Sequence, residues 1–220
     1  MIQNGAMNTQ QYEDDLTFFT NEEGQKLEDR FKKILEDVRY FDILVGYFRT
    51  SGFYRLYKDF ESIEKIRILV GLDADNKTVE LINSAKNELK SETETKNTIS
   101  SYIVDEISNS EDNYNVDLGV NKFIEYIKSG KLEIKAHPSS NIHAKVYISR
   151  FNPEDRDFGR VITGSSNFSE SGLISQYEFN VELKNKADVR YALNHFEKLW
   201  AEAVDLSEIY VDTIKHKTHL

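Results

Sequence analysis

Cysteine is absent from the 220-residue chain, which excludes disulfides, thiolate zinc sites and a cysteine nucleophile in any redox compartment. The five histidines are left as the only soft metal ligands. No apolar run approaches the roughly 20 residues that cross a membrane. The stretch Met1–Gln11 is polar, unlike a secretory leader, so a soluble, cytoplasmic protein without a membrane partner is expected. A general basic surface is lacking as well. The formal net charge of −10 argues against binding nucleic acid over the whole surface, because phosphate neutralisation needs clustered Lys and Arg. A local basic cleft remains compatible with it. No internal repeat is evident, so any two-fold active site has to draw on a second chain or on a region outside this one.

What is present suffices for one substantial core. With 39% hydrophobic and 12% aromatic residues, a chain of this length buries about 70% of its unfolded surface, and one domain over 1–220 is the expectation. Thr20-Asn21-Glu22-Glu23 has the form of a capping box, followed by Leu27, Phe31, Ile34, Leu35 and Val38 at helical spacing. Two β-rich runs, Phe41–Phe48 and Lys65–Gly71, flank a helical stretch in which Phe53, Leu56, Tyr57 and Phe60 share a side. Strand, helix, strand implies a parallel pair with a right-handed crossover.

Residues 76–118 turn polar and charged, and read as a helical insertion serving as a lid or partner surface, or as a solvated segment. Val120–Lys128 then reads as an amphipathic helix ending at Gly130. Four strands are expected in quick succession, Leu132–Ala136, Ile142–Ser149, Arg160–Ser165 and Tyr177–Leu183. A last helix turns Ala192, Phe196, Leu199, Trp200 and Ala203 inward. The class is α/β, a mixed sheet flanked by helices. Ile214–Leu220 is polar and shows no structural signal, which suggests part of a longer protein.

In Ile142–Ser149 the period of two puts Ile142, Ala144, Val146 and Ile148 on one face and His143, Lys145, Tyr147 and Ser149 on the other. A row of such polar tips is awkward to bury, and an open cleft over that face is the expected remedy. Tyr177–Leu183 similarly sorts Tyr177, Phe179, Val181 and Leu183 from Glu178, Asn180 and Glu182, offering carboxylates to the cleft. Between these strands Gly164-Ser165-Ser166-Asn167 supplies small hydrogen-bonding residues that let backbone N–H groups approach an anionic oxygen.

Together, Ile142-His143-Ala144-Lys145-Val146-Tyr147-Ile148, Gly164-Ser165-Ser166-Asn167-Phe168 and Tyr177-Glu178-Phe179-Asn180 resemble the phospholipase D superfamily signature of His-x-Lys, Gly-Ser-x-Asn and a downstream Glu. The resemblance is to single-motif bacterial nucleases and to the nuclease-like domain at the front of some bacterial helicases. It implies a phospholipase D-like α/β/α sandwich and a metal-independent phosphodiesterase acting on nucleic acid, DNA first, with no cofactor. His143 would be the nucleophile, forming a phosphohistidine. Lys145, Ser165 and Asn167 would bind the non-bridging oxygens, and Glu178 would hold the tautomer of His143. Since family members need two histidines, the resemblance implies a homodimer with two copies of His143, or a helicase or restriction partner within a longer chain. The alternative is a non-catalytic nucleic-acid-binding module that keeps the phosphate pocket.

Two departures bear on turnover. Arg150 stands where the family usually has Asp, and Gln176 where relatives often have Asn; the hairpin before Gly164 is also long, with Pro153, Asp155, Asp157 and Gly159. Arg150, Arg156 and Arg160 are candidates for contact with a nucleic-acid backbone, against the plainer reading of a solvated charged loop. His137 lies too far from any set of further ligands by spacing to make a metal pair with His143 an attractive reading. His195, on the last helix, reads as a surface or packing residue, and His216 and His219 as part of the polar tail.

Overall fold

A computed structural model describes residues 17–46, 48–71, 114–137, 142–154 and 157–218, and of 114–117 and 213–218 the backbone alone. The chain runs β1 (Phe18–Thr20), α1 (Leu27–Leu35), β2 (Tyr40–Val45), α2 (Thr50–Leu56), β3 (Lys65–Gly71), α3 (Tyr114–Lys128), β4 (Leu132–His137), β5 (Lys145–Arg150) and β6 (Gly159–Gly164). A wide π-type helical turn (Ser171–Ser175) follows, then β7 (Phe179–Leu183), α4 (Lys186–Glu202), β8 (Val204–Asp205) and α5 (Ser207–Thr218).

The eight described strands form one mixed sheet in the order β1-β7-β6-β5-β2-β3-β4-β8. β2, β3 and β4 are parallel, and every other pairing is antiparallel. The continuous apolar runs of β2 and β3 follow from cover on both faces. Phe41, Ile43 and Val45 pack with Phe31, Phe53, Phe123 and Tyr210 beneath α1, α2, α3 and α5. Leu44 and Leu69 turn the other way, against Phe196 and Trp200 of α4. The expected mixed sheet flanked by helices is the one found, and the strand at Lys65–Gly71 has its expected bounds.

The opening helix differs from expectation. Thr20 pairs with Phe179 in the sheet instead of capping, and Gly24, at φ +81°, turns the chain before the helix begins at Leu27. The Leu27 N–H is instead accepted by the Asn21 carboxamide at 2.9 Å. The polar C-terminal stretch also departs from expectation, continuing α5 to Thr218; Tyr210 and Val211 are buried, too few apolar positions to make the period visible. Gly130 does end α3, at φ +73°. The insertion expected at 76–118 lies outside the described residues up to 113.

On the α4 side, one wholly buried carboxylate collects the ends of three strands. Asp42 (0% exposed) accepts from Arg67 Nε at 2.5 Å and from Arg150 Nε at 3.0 Å and Nη2 at 2.9 Å. Arg67 also forks onto Glu197 of α4 at 2.6 and 3.1 Å, beneath Phe196 and Trp200. Burial disfavours the Arg67 charge, but its hydrogen bonds to Asp42 and Glu197 outweigh that and hold its pKa above the ordinary range. Two cations and two anions thus cancel in a partly dry place. Removing one partner leaves uncompensated charge, which costs about 3–5 kcal/mol when buried. Asp42→Ala should lose that much stability in urea denaturation; a loss under about 1 kcal/mol would mean the network does not hold the sheet.

Candidate functional site

The sequence-predicted residues meet at one end of the sheet. β2, β3 and β4 finish there, β5 starts there, β6 ends there and β7 starts there, as the register requires. Ligands in α/β folds lie beyond the carboxyl ends of parallel strands. The segment Ile142–Ala144 crosses this end, and two glycines admit it. A Cβ on Gly46 would lie 3.2 Å from His143 Cα, and one on Gly71 would strike the Ile142 carbonyl. The Gly46 N–H donates to Ala144 O at 2.9 Å. His143 therefore precedes β5 as exposed coil, a correction to the strand expected from Ile142.

Lys145, the first residue of β5, is 8% exposed. Its Nζ lies 3.2 Å from both His143 Nδ1 and Nε2 and 3.4 Å from the His143 carbonyl. Equal reach to both nitrogens places the ammonium over the ring, off the in-plane lone pair of either. The alternation expected of this strand holds, with Ile148 in the α4-side core and Tyr147 in the other. The open cleft over the second face does not extend along it. Tyr147 is 1% and Ser149 3% exposed, so the face is covered along the strand and only His143, before it, is exposed. Tyr147 donates to the Ser166 carbonyl at 2.7 Å, and burial, reinforced by the nearby Glu178 charge, raises its pKa well above normal, so it stays a donor.

Extending the β5–β6 register beyond Val146↔Thr163 puts Gly164 opposite Lys145, and Thr163 Oγ1 ties the strands by donating to Lys145 O at 2.8 Å. Ser165 follows. Its hydroxyl donates to Glu178 Oε2 in a short hydrogen bond and accepts the Phe179 N–H at 3.0 Å. Ser166 is wholly buried, its hydroxyl accepting from Asn180 Nδ2 at 3.0 Å. Asn167 Oδ1 is buried with no hydrogen-bond partner, a cost of about 1–3 kcal/mol unless a ligand supplies one. Phe168 stacks on Phe48 at 5.9 Å, and the loop then enters the π-type turn, a feature frequent at functional sites.

The expected Glu178–His143 hydrogen bond is not formed; the carboxylate is taken by Ser165. Arg150 and Arg160 do not join the site. Arg150 closes β5, about 16 Å along the strand from Lys145, and is held by Asp42. Arg160, at the same far end, pairs with Asp157 at 2.7 Å and Glu182 at 3.4 Å. Arg156 lies outside the described residues, as do Asp155 and His219. His137, at the end of β4, faces Glu202 of α4 at 3.4 Å, and the His195 ring lies 4.5 Å from that of Tyr191, tilted by 54°. Among the described residues no group of three or more His, Asp and Glu gathers to hold a metal ion. The supporting roles of Tyr147 and Asn180 were not foreseen; the signal for Tyr147 was its place in the polar row, misread as open.

A family model described as cardiolipin synthase, PLD-like domain, matches residues 32–200. The chain belongs to this PLD-like family. No curated protein matches its sequence significantly. Among solved structures, phosphatidylserine synthase from Haemophilus influenzae Rd KW20 shares the fold at 12% identity and TM-score 0.50, over 86% of this chain and 39% of that one. NucT from Helicobacter pylori (14% identity, TM-score 0.45, 81% and 90% covered) and the phospholipase D family member Nuc from Salmonella typhimurium (14%, 0.46, 86% and 95%) are more distant in shape.

Within this PLD-like domain the Tyr147 hydroxyl links the strand bearing Lys145 to the loop bearing Ser165. Tyr147→Phe leaves the Ser166 carbonyl without its buried donor. It should destabilise by about 1–3 kcal/mol and raise amide hydrogen exchange across 165–168 above that of the sheet. Unchanged exchange there would show that the loop is held by other means.

Proposed function

We propose that the domain is a metal-independent phosphodiesterase that cleaves nucleic acid through a phosphohistidine on His143. The observation that carries this is the exposed imidazole with the Lys145 ammonium 3.2 Å from its nitrogens, at the sheet end where Ser165 and Asn167 also lie. An imidazole nitrogen attacks phosphorus, the P–N bond forms and the P–O bond to the leaving group breaks. Lys145 and the Ser165–Asn167 loop stabilise the charge growing on the non-bridging oxygens. The departing oxygen takes a proton from His143 of a second copy, across a two-fold axis. Water, giving a proton to the second His143, then attacks phosphorus; the new P–O bond forms, the P–N bond breaks, and both imidazoles are restored. Glu178 holds the Ser165 proton in this structure, and Ser165 donates to the phosphate by exchanging that hydrogen bond for one to the non-bridging oxygen.

Nucleic acid is proposed as substrate because the motifs resemble single-motif nucleases. A second reading, a phosphate-binding module without turnover, is favoured by one observation: Glu178 is engaged by Ser165 and leaves His143 without an orienting carboxylate.

Cleavage of single- and double-stranded DNA in excess chelator decides between them. Activity should persist with chelator and fall by roughly 10³-fold in His143→Ala, a substitution at an exposed coil residue. Activity abolished by chelator would overturn the covalent mechanism. Binding without cleavage, weakened in Lys145→Ala and steeply salt-dependent, would establish the second reading. Sedimentation should show a dimer under conditions that support cleavage, and a strict monomer that still cleaves would remove the second His143 from the scheme.

A further inference from the structure

Asn180 and Glu182 of β7, and Glu178 just before it, turn toward the α1 side, where Glu182 meets Arg30 at 3.2 Å. By alternation Phe179 turns to the opposite face. There α4 packs over β4, β5 and β6, short of the β7–β1 edge. Phe179 is consequently 55% exposed, Phe18 60% and Tyr177 75%. The Phe18 and Phe179 rings lie 5.7 Å apart. Phe18 and Phe179 thus form an exposed aromatic pair at the open edge of a sheet whose other aromatics are mostly buried, with exposed Tyr177 two residues before Phe179 in the chain.

The rings adjoin Ser165 through the backbone of β7. Tyr177 and Phe179 flank Glu178, and the Phe179 N–H is bound to Ser165 Oγ at 3.0 Å. β6 and β7 are one strand spacing apart, about 4.8 Å. We propose that Phe18, Tyr177 and Phe179 are a stacking platform for the bases of a single-stranded nucleic acid whose phosphate occupies the Lys145–Ser165 site. The proposal rests on the phosphodiester reading of that site and names its substrate form. A phosphodiester held at Ser165 brings its own sugar and base to the adjoining surface, and every base has a π-face to offer an aromatic ring. In a duplex those faces are hidden within the stack.

A second copy of the chain is a poorer occupant. Fully buried aromatics cover about 150–250 Å² each, so three at this exposure offer roughly 400 Å². A stable protein interface needs about 800 Å² per partner. Edge strand β1 is also short, at three residues, which limits strand addition.

The test compares a fluorescent 12-nucleotide thymidine strand with an abasic strand of the same length by anisotropy, alongside hydrolysis of bis(4-nitrophenyl) phosphate. The full chain should bind the base-bearing strand at least tenfold more tightly. Phe18→Ala and Tyr177→Ala should each weaken that binding about tenfold, leaving abasic binding and small-diester hydrolysis unchanged, and Tyr177→Trp should restore it. Equal binding of the two strands, or alanine variants that bind as the parent does, overturns the platform. If the small diester is still cleaved in that case, the phosphodiesterase reading survives. Base preference without small-diester cleavage supports the platform and removes the enzyme reading. Alanine variants that turn a dimer into a monomer with base-bearing affinity per chain unchanged overturn the platform in favour of a second copy.

Discussion

The middle of the sheet is covered on both faces, and polar chemistry is therefore driven to its end. Helices α1, α2, α3 and α5 close one side of β2 and β3 and α4 closes the other. A histidine, a lysine, a serine and an asparagine placed along these strands would each need a buried partner. At the strand ends they keep access to an anion instead. Gly46 and Gly71 make this end usable, because side chains there would collide with Ile142 and His143. The buried Tyr147–Ser166 and Asn180–Ser166 hydrogen bonds then fix the loop height against the strand that supplies Lys145.

The departure at Arg150 finds its explanation at the opposite end. In a sheet whose α4 side already contains Asp42 and Arg67, an aspartate at 150 would bring a second carboxylate beside Asp42, while arginine completes a neutral cluster with Glu197. The residue serves the join between β2, β3, β5 and α4, about five residues of strand away from Lys145. Its loss of the family's usual charge is thus a matter of sheet electrostatics, and the local hydrogen bonding around Ser165 is independent of it.

Glu178 shows how one short hydrogen bond redistributes roles. With the carboxylate on Ser165, the serine's only proton is committed and one of its lone pairs accepts the Phe179 N–H. His143 keeps the Lys145 ammonium as its neighbour. The imidazole is positioned by backbone, through the glycine crossing, more than by a carboxylate.

By itself the sequence determined the alternation in β5 and β7, the bounds of β3, the inward side of α4 and the mixed α/β class, because these depend on local period and on apolar runs; it did not determine which side of β7 is open, for Glu178, Asn180 and Glu182, expected to face a cleft, are buried while Tyr177 and Phe179 are exposed. It also carried the motif residues in their order. Tertiary structure decided the rest. Whether Tyr147 is open or buried depends on α1 packing above it, and β1 is a strand only because β7 offers it an edge. Thr20 could have capped a helix, and the left-handed Gly24 and the pairing with Phe179 took it elsewhere. The Glu178 partner, the Asp42 cluster and the separation of Arg150 and Arg160 from His143 all rest on contacts between segments far apart in the chain, which no local pattern encodes.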